Sequence, residues 1–215
     1  MPFVAPSNAV VVSTNGVPNV PLTGGSLDDG GWSGFPIGFN FNFFGNSFNT
    51  ISAGTNGLLM FGTPPGYGSA NGQLGQFTFN STGGVFPNAA NPGNVIALMA
   101  ADQYFGNGTA GSSSSTLTYW TQGYAPNRKF VLKYTNVHGY SSNPAATVSI
   151  VLYETLGIVD IFITSKTFSN SSIVGLQDQT KTIGAVAPGR AGGTWTVTTP
   201  EGWRFAPPSN YTTIW

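Results

Sequence analysis

Large apolar and small polar residues alternate most clearly between residues 37 and 48. The large members are Ile37, Phe39, Phe41 and Phe43, and Gly38, Asn40 and Asn42 stand between them. Because successive side chains of a strand point to opposite faces, this spacing puts the four large side chains on one face. The pattern predicts a strand that is buried on one side, in a β-sheet protein with an aromatic core.

Further apolar runs follow along the chain, and none of them has a helical period. They cover residues 58–61, 95–101, 117–120, 130–134, 148–152, 159–163, 173–176, 194–198 and 203–205. The chain also contains 30 Gly and 15 Pro, the residues that favour tight turns between short strands. About ten or eleven strands spaced in this way predict an all-β protein, an antiparallel β-sandwich of jelly-roll type. We expect one domain over residues 1–215, with 1–22 as an N-terminal arm or first strand and 206–215 as a C-terminal tail.

The charge content is low, and it excludes two classes of partner. Only 7% of the residues are charged, and seven basic residues balance seven acidic ones. A nucleic-acid surface needs clustered Lys and Arg, and so does electrostatic attachment to a membrane. The apolar run Val10–Val12 is also far too short to span a bilayer. Little charge remains to hold copies apart, so we expect subunits of one assembly as partners, as a homo-oligomer.

The chain has no cysteine, which excludes disulfides, zinc ribbons and thiol nucleophiles. Its first residues, Met-Pro-Phe-Val, lack the basic and apolar regions of a signal peptide. Two interpretations stay open. The chain is a mature fragment with a start Met added, or it is a protein that leaves the cell without a signal, as virion proteins do at lysis.

No set of residues forms a recognisable reaction centre. The single histidine, His138, has no nucleophile motif near it, and no Gly-x-Ser-x-Gly elbow occurs. Glycoside hydrolysis needs two carboxylates across a cleft. Glu154 and Asp160 flank one hairpin, where we expect them to face solvent beside Lys residues. We therefore predict that the protein is not an enzyme.

Three aspartates are candidates for binding a hard cation. Asp28 and Asp29 are the only adjacent acidic pair, and Asp102 directly follows a buried apolar run. Calcium prefers six to eight oxygen ligands, but the pair lacks the ligand spacing of a calcium loop. Asp102 has an alternative role, which is to accept hydrogen bonds from backbone N–H groups. We expect no cofactor, with calcium at these aspartates as the alternative.

Several aromatic residues lie in or beside predicted loops, where they are candidates for contact with a ligand or partner. They are Trp32, Tyr67, Tyr104, Trp120, Tyr140 and Trp215, with Tyr124 as a further loop aromatic. Exposed Trp and Tyr stack on sugar rings or anchor protein interfaces. Alternatively, these side chains cover the ends of the sandwich. The tail carries Ile214 and Trp215, and we expect it to dock on its own domain or on a neighbour.

Several segments together resemble a known type of module. They are Ile37-Gly-Phe-Asn-Phe-Asn-Phe-Phe-Gly-Asn-Ser-Phe48, Thr55-Asn-Gly-Leu-Leu-Met-Phe-Gly62, Phe86-Pro-Asn-Ala-Ala90 with Asn94-Val-Ile-Ala97, and Asn127-Arg-Lys-Phe-Val-Leu-Lys-Tyr-Thr-Asn-Val137 with Val151-Leu-Tyr-Glu-Thr155. The chain resembles a β-sandwich module of secreted and cell-surface adhesin-like proteins of Bacteroidetes-type bacteria, and more loosely the nidogen-type extracellular domain. The resemblance implies a β-sandwich without an active site. Many relatives have an aromatic residue and two acids where this chain has Ala100-Ala101-Asp102, which weakens an inherited cation site.

These observations predict a non-enzymatic structural or attachment protein on a larger assembly. The first hypothesis is a phage virion component at the virion surface: a capsid decoration, head fibre or tail protein. The alternative is a secreted, extracellular adhesion or glycan-binding module of a bacterial cell surface. A glycan-active enzyme ranks third.

Overall fold

The computed structural model describes residues 4–14, 17–77, 86–105, 115–140 and 144–208. Within these ranges the regular elements are β-strands, arranged as two antiparallel sheets that pack together. The predicted antiparallel β-sandwich is therefore confirmed. Among these residues none forms a helix with the length and apolarity needed to cross a bilayer.

The first sheet has eight strands. They are β1 (Val10–Thr14), β2 (Val17–Pro18), β8 (Gln103–Tyr104), β9 (Thr116–Gln122), β10 (Lys129–Gly139), β11 (Ala145–Tyr153), β12 (Val159–Lys166) and β15 (Glu201–Phe205). Their order is β15-β12-β11-β10-β9-β1-β2, and β8 pairs with β10. The strands β9 to β12 follow one another as hairpins, which is the meander that the alternating runs predict.

The second sheet has seven strands. They are β3 (Gly24–Gly25), β4 (Gly30–Phe43), β5 (Asn46–Gly54), β6 (Leu58–Phe61), β7 (Val95–Ala100), β13 (Ile173–Gln177) and β14 (Gly184–Ala191). Their order is β14-β13-β7-β6-β5-β4-β3. The chain crosses between the sheets after β2, β7, β12 and β14, so both sheets contain strands from distant parts of the sequence.

The aromatic strand lies in β4 with the predicted register. Ile37, Phe39, Phe41 and Phe43 are at most 5% exposed, whereas Asn40 and Asn42 face solvent. The ring of Phe61 packs on Phe41 and Phe43, with centroids 5.6 and 4.7 Å apart. One face of β4 therefore forms part of the core, as its alternation predicts.

The core fills the space between the two sheets. The ring of Phe35 on β4 stacks on Tyr119 of β9, with centroids 4.8 Å apart. The buried hydroxyl of Tyr134 on β10 donates a 2.7 Å hydrogen bond to the Gly54 carbonyl on β5. Burial raises the pKa of Tyr134, so this side chain stays a neutral donor. These contacts fix one sheet against the other.

The turns collect at two opposite ends of the sandwich. At the end that we call the Asp102 end, the amide of Tyr140 after β10 donates to the Asp102 carbonyl at 2.9 Å. At the other end, the amide of Glu154 after β11 donates to the Arg128 carbonyl before β10, also at 2.9 Å. Because antiparallel hairpins alternate in direction, each end contains loops from both sheets.

Three details differ from the sequence predictions. The expectation that Trp32 lies in or beside a loop is wrong, because β4 already begins at Gly30. The run 194–198 is not a strand and forms a single bridge, between Val197 and Lys166. Instead, the ring of Trp195 packs against the cationic groups of Lys166 and Arg190, at 4.7 and 4.6 Å. The third difference is β14, an edge strand of the second sheet that lies outside the predicted apolar runs.

Candidate functional site

The three candidate aspartates meet at the Asp102 end. Asp28 and Asp29 lie in the turn before β4, and Asp102 lies between β7 and β8. The two segments are joined where the amide of Phe105 donates to the Leu27 carbonyl at 2.9 Å. Residues that are about 75 positions apart in sequence thus form one acidic cluster, which we define as Asp28, Asp29 and Asp102.

Buried polar side chains of the β5–β6 turn hold this cluster in place. The side-chain amide of Asn56 donates to a carboxylate oxygen of Asp29 at 2.9 Å and to the Gly75 carbonyl at 2.7 Å. Its carbonyl oxygen accepts the amide of Gln103 at 2.6 Å. The hydroxyl of Thr55 donates to the Asp28 carbonyl. Asn56 and Thr55 are fully buried, so the cluster rests on a rigid polar base.

The carboxylates of the acidic cluster repel one another. Burial, and then the neighbouring Asp28 and Asp29 carboxylates, raise the pKa of Asp102 to about 6. Burial and the Asp29 carboxylate also raise the pKa of Asp28. One carboxylate oxygen of Asp28, Oδ1, is buried and accepts no hydrogen bond from the described residues. The cluster therefore concentrates negative charge at a site that disfavours it.

The other four acidic residues have partners elsewhere. Asp178 accepts hydrogen bonds from the amides of Thr180, Thr182 and Ile183 in its own turn. Each of the remaining three forms a two-pronged pair with an arginine: Glu154 with Arg128, Asp160 with Arg204, and Glu201 with Arg190. Within the described ranges, the three carboxylates of the acidic cluster form no ion pair with an arginine, and Asp29 accepts its hydrogen bond from Asn56.

The prediction for Glu154 and Asp160 is wrong in its detail. Their partners are arginines and not lysines, and Asp160 is only 3% exposed. The hydroxyl of Tyr153 also donates to Asp160, at 2.8 Å. Both carboxylates therefore link strands of the first sheet.

The cluster does not form a ready-made metal cage. Over the described ranges, no three His, Cys, Asp or Glu side chains stand close enough together to hold a metal ion. Calcium at Asp28, Asp29 and Asp102 stays a prediction from the sequence, and we build no chemistry on it.

Three of the candidate tyrosines lie on segments next to those of the acidic cluster. Tyr140 is 46% exposed and follows β10, where its amide bonds to Asp102. Tyr104 is half-buried in β8, two residues after Asp102. Tyr67 is also half-buried, and its ring lies against Gly24 of β3. The structure thus places these tyrosines and the acidic residues, which the sequence suggested separately, on neighbouring segments of the Asp102 end.

The structure corrects the predicted positions of two candidate tryptophans. Trp32 is fully buried, and its indole N–H donates to the Val20 carbonyl at 2.9 Å. Trp120 lies within β9, not in a loop, and is only 3% exposed. The expectation that both are exposed loop residues is therefore wrong. Trp215 lies outside the described residues.

The lone histidine is part of a strand. His138 lies in β10, opposite Ala145 of β11 and Tyr104 of β8, and it is 8% exposed. His138 is therefore a member of the first sheet and lies next to the Asp102 end.

The opposite end carries apolar side chains that the sequence analysis missed as a group. Phe44, Tyr124 and Leu156 are 38%, 91% and 57% exposed, and we call them the apolar rim. They lie on three different turns, so no local pattern connects them. Their signal in the sequence is a large apolar residue next to Gly in a hairpin turn, as in Phe44-Gly45 and Gly123-Tyr124.

Comparison with known proteins agrees with this architecture. The family model described as NIDO related matches residues 8–214. The search of the curated proteins and the search of the solved structures returned no match. The nidogen-type resemblance is therefore confirmed, and the Bacteroidetes and phage settings stay predictions. The chain belongs to the NIDO-related family, and this membership makes it a nidogen-like extracellular β-domain of a typically non-enzymatic kind.

Proposed function

We propose that this protein is a non-enzymatic attachment component of an extracellular assembly, displayed on a virion as a capsid decoration, head fibre or tail protein. One observation carries the proposal: each loop end of the rigid sandwich carries its own group of exposed or half-buried side chains. The Asp102 end has the acidic cluster with Tyr67, Tyr104 and Tyr140, and the other end has the apolar rim. Loop ends of a rigid β-scaffold are where such folds bind partners.

Three of the four edge strands of the sandwich are poorly suited to association, and the fourth edge strand is β15 (Glu201–Phe205). The edge strand β14 contains Pro188, and β2 contains Pro18. The edge strand β3 has only two residues. Proline and very short strands prevent the addition of another strand from a neighbouring chain. Attachment through the loop ends is therefore favoured over growth of the sheets.

The carboxylates support a non-enzymatic role. Glu154, Asp160 and Glu201 each accept two hydrogen bonds from one guanidinium, and this geometry commits both of their oxygens to structure. A glycosidase needs carboxyl groups that are available to protonate the leaving group and to attack. The low charge, with 7% of the residues charged, favours the virion setting within the extracellular class.

A second candidate function is glycan binding by a bacterial cell-surface module. It is favoured by the half-buried Tyr67 and Tyr104 and the exposed Tyr140 on segments of the end that carries Asp102. Aromatic rings stack on sugar faces, and carboxylates accept hydrogen bonds from sugar hydroxyls.

One assay on the purified domain separates catalysis from binding. The domain is incubated with surface polysaccharides, and both released reducing ends and retained protein are measured. We expect no turnover above the buffer blank, and the variants Asp102→Asn and Glu154→Gln should not differ from the wild type. Turnover that depends on either carboxylate would overturn the non-enzymatic proposal.

The same assay tests the glycan alternative. If it holds, the wild type is retained and Tyr140→Ala reduces retention by about 10-fold or more, as expected for a stacking residue. Tyr124→Ala, at the opposite end, is the matched control and should be retained like the wild type. Equal retention of all three proteins would rule out a glycan site at the Asp102 end.

A further inference from the structure

The apolar rim lies on three neighbouring turns at one end of the sandwich. The hydroxyl of Thr155 donates to the Pro126 carbonyl at 3.3 Å, which joins the turns of Leu156 and Tyr124. A side chain built on Gly157 would come within 3.3 Å of the Asn42 carbonyl, so the turn of Leu156 also contacts the turn of Phe44. Three large apolar side chains thus face solvent on neighbouring turns.

The rim is electrically neutral at its centre. Arg128 and Glu154 form an ion pair between the turns of Tyr124 and Leu156, with a shortest N–O distance of 2.5 Å. The guanidinium also donates to the Gly38 carbonyl at 2.6 Å. These bonds hold the turns rigid, and they pair the charges of Arg128 and Glu154 with each other. An apolar occupant can therefore cover the rim without burying a free charge.

The described part of the chain leaves the sandwich at this rim. Phe205, the last residue of β15, pairs with Val159, which directly follows the turn of Leu156. Pro207 then contacts that turn, because a side chain on Gly157 would lie 3.1 Å from the Pro207 Cγ. The next segment, 209–215, lies outside the described residues and contains Tyr211, Ile214 and Trp215. Its seven residues span at most about 25 Å, so it starts within reach of a rim at this end.

We propose that segment 209–215 of one copy covers the apolar rim of a second copy, in a reciprocal exchange between two molecules that meet at their rim ends. This inference rests on the proposed attachment function and names one of its contacts. The occupant is argued from its apolar side chains and from the place where the described chain leaves the domain. Burial of the rim and of the tail side chains would provide the driving force.

The exit geometry favours a second copy over the segment's own domain. Residues 206–208 are exposed and contain Pro207 and Pro208. Proline fixes its own φ and favours an extended residue before it, so this stretch is stiff and does not readily fold straight back on the domain. A stiff connection that passes the Leu156 turn leaves the following segment available to a molecule that faces this end.

The symmetry of the pair follows from the positions of the exchanged segment and of the apolar rim. The segment leaves the domain at the same end that carries the rim. Two copies that exchange their segments therefore satisfy each other, which gives a closed two-fold pair. An open chain of copies would need donor and acceptor at opposite ends.

Sedimentation velocity with two complementary variants tests this arrangement. The rim variant carries Tyr124→Ser and Leu156→Ser, and the tail variant carries Ile214→Ser and Trp215→Ser. Over about 1 to 100 μM the wild type should form a reversible dimer, and either variant should weaken dimerisation by about 30-fold or more. The controls Tyr140→Ser and Thr213→Ser, at the opposite end and within the tail, should dimerise like the wild type.

Mixing the two variants is the decisive step. The rim variant keeps an intact tail and the tail variant keeps an intact rim, so an equimolar mixture should regain a dimer with one complete contact. Three results would overturn the proposal: a wild type that stays monomeric over this range, a dimer that neither variant weakens, or variants that lower the Tm of a monomer and show no recovery on mixing. The last result would mean that the segment docks on its own domain. All three leave the attachment function itself standing, because that function is tested by location on particles.

Discussion

At the scale of single residues, Asp102 shows how an unremarkable sequence position becomes chemically distinctive. Its carboxyl group is surrounded by buried structure and by two further aspartates, and its pKa is raised to about 6. The apolar run before Asp102 indicated that the residue caps a buried strand. Asp28 and Asp29 lie close to Asp102 because two loops that are distant in sequence pack together. No local sequence pattern predicts this packing.

The raised pKa predicts a specific dependence of stability on pH. The folded state binds the Asp102 proton more tightly than the unfolded state, whose pKa is near the ordinary value of 3.8. Stability from this group is therefore complete below about pH 4 and is lost as the pH rises through about 6. We expect Asp102→Asn to raise the free energy of unfolding at pH 7.5 by about 1–2 kcal/mol, allowing for solvent screening, and to change little at pH 4.

Asp178→Asn is the control, and its change in the free energy of unfolding at pH 7.5 should have the opposite sign. Denaturant unfolding measures both variants. Burial alone would raise the pKa of Asp178, but hydrogen bonds from Thr180, Ile183 and Thr182 outweigh it and lower the pKa to about 2. This stability is present above pH 4 and is lost toward pH 2, so Asp178→Asn should destabilise the protein at pH 7.5. An Asp102→Asn variant that is less stable than the wild type at pH 7.5 would show that the cluster is not repulsive.

At the scale of elements, the strand β4 was predictable and several neighbours were not. Its alternation of large and small residues is long enough to fix both the strand and its buried face. The strand β14 contains Gly-Ala-Val-Ala-Pro-Gly-Arg-Ala and has no alternating large residues, so its sequence gives no strand signal. The stretch 194–198 has such a signal, but Trp195 packs between two cationic side chains and leaves the sheet. Tertiary contacts overrode the local preference in both places.

Trp32 and Asp160 show that tertiary contacts also limit the prediction of candidate site residues from the sequence. Trp32 follows two Asp and two Gly residues, which reads as a loop, and the register of β4 shifts between Trp32 and Phe35. Asp160 is buried because Arg204, 44 positions away, pairs with it. Such partners become visible only when the sheet order is known.

The register of β4 predicts a strong contrast between neighbouring residues. Phe41→Ala should lower the free energy of unfolding by about 3–5 kcal/mol, because it leaves a cavity against Phe61. Asn40→Ala, on the exposed face, should cost under about 1 kcal/mol. Denaturant unfolding of the two variants measures this, and equal losses would mean that the buried face is assigned wrongly.

At the scale of the whole molecule, the sandwich separates two kinds of surface. One end carries negative charge and tyrosines, the other end carries the apolar rim, and three of the four edge strands are short or interrupted by proline. A rigid body with two chemically different ends suits a component that binds one partner at each end. Family membership gives the extracellular setting, and the geometry gives the surfaces through which we propose that attachment occurs.

The central claim is that the protein is displayed on extracellular particles, and immunogold electron microscopy tests it most directly. Antibodies against the purified domain are applied to intact, gradient-purified virions and to cells from the culture that produces the protein. Our account predicts gold on the virion surface at many positions per particle. Label on the cell surface alone would replace the virion component with the bacterial attachment module, and label confined to the cytoplasm would contradict the account.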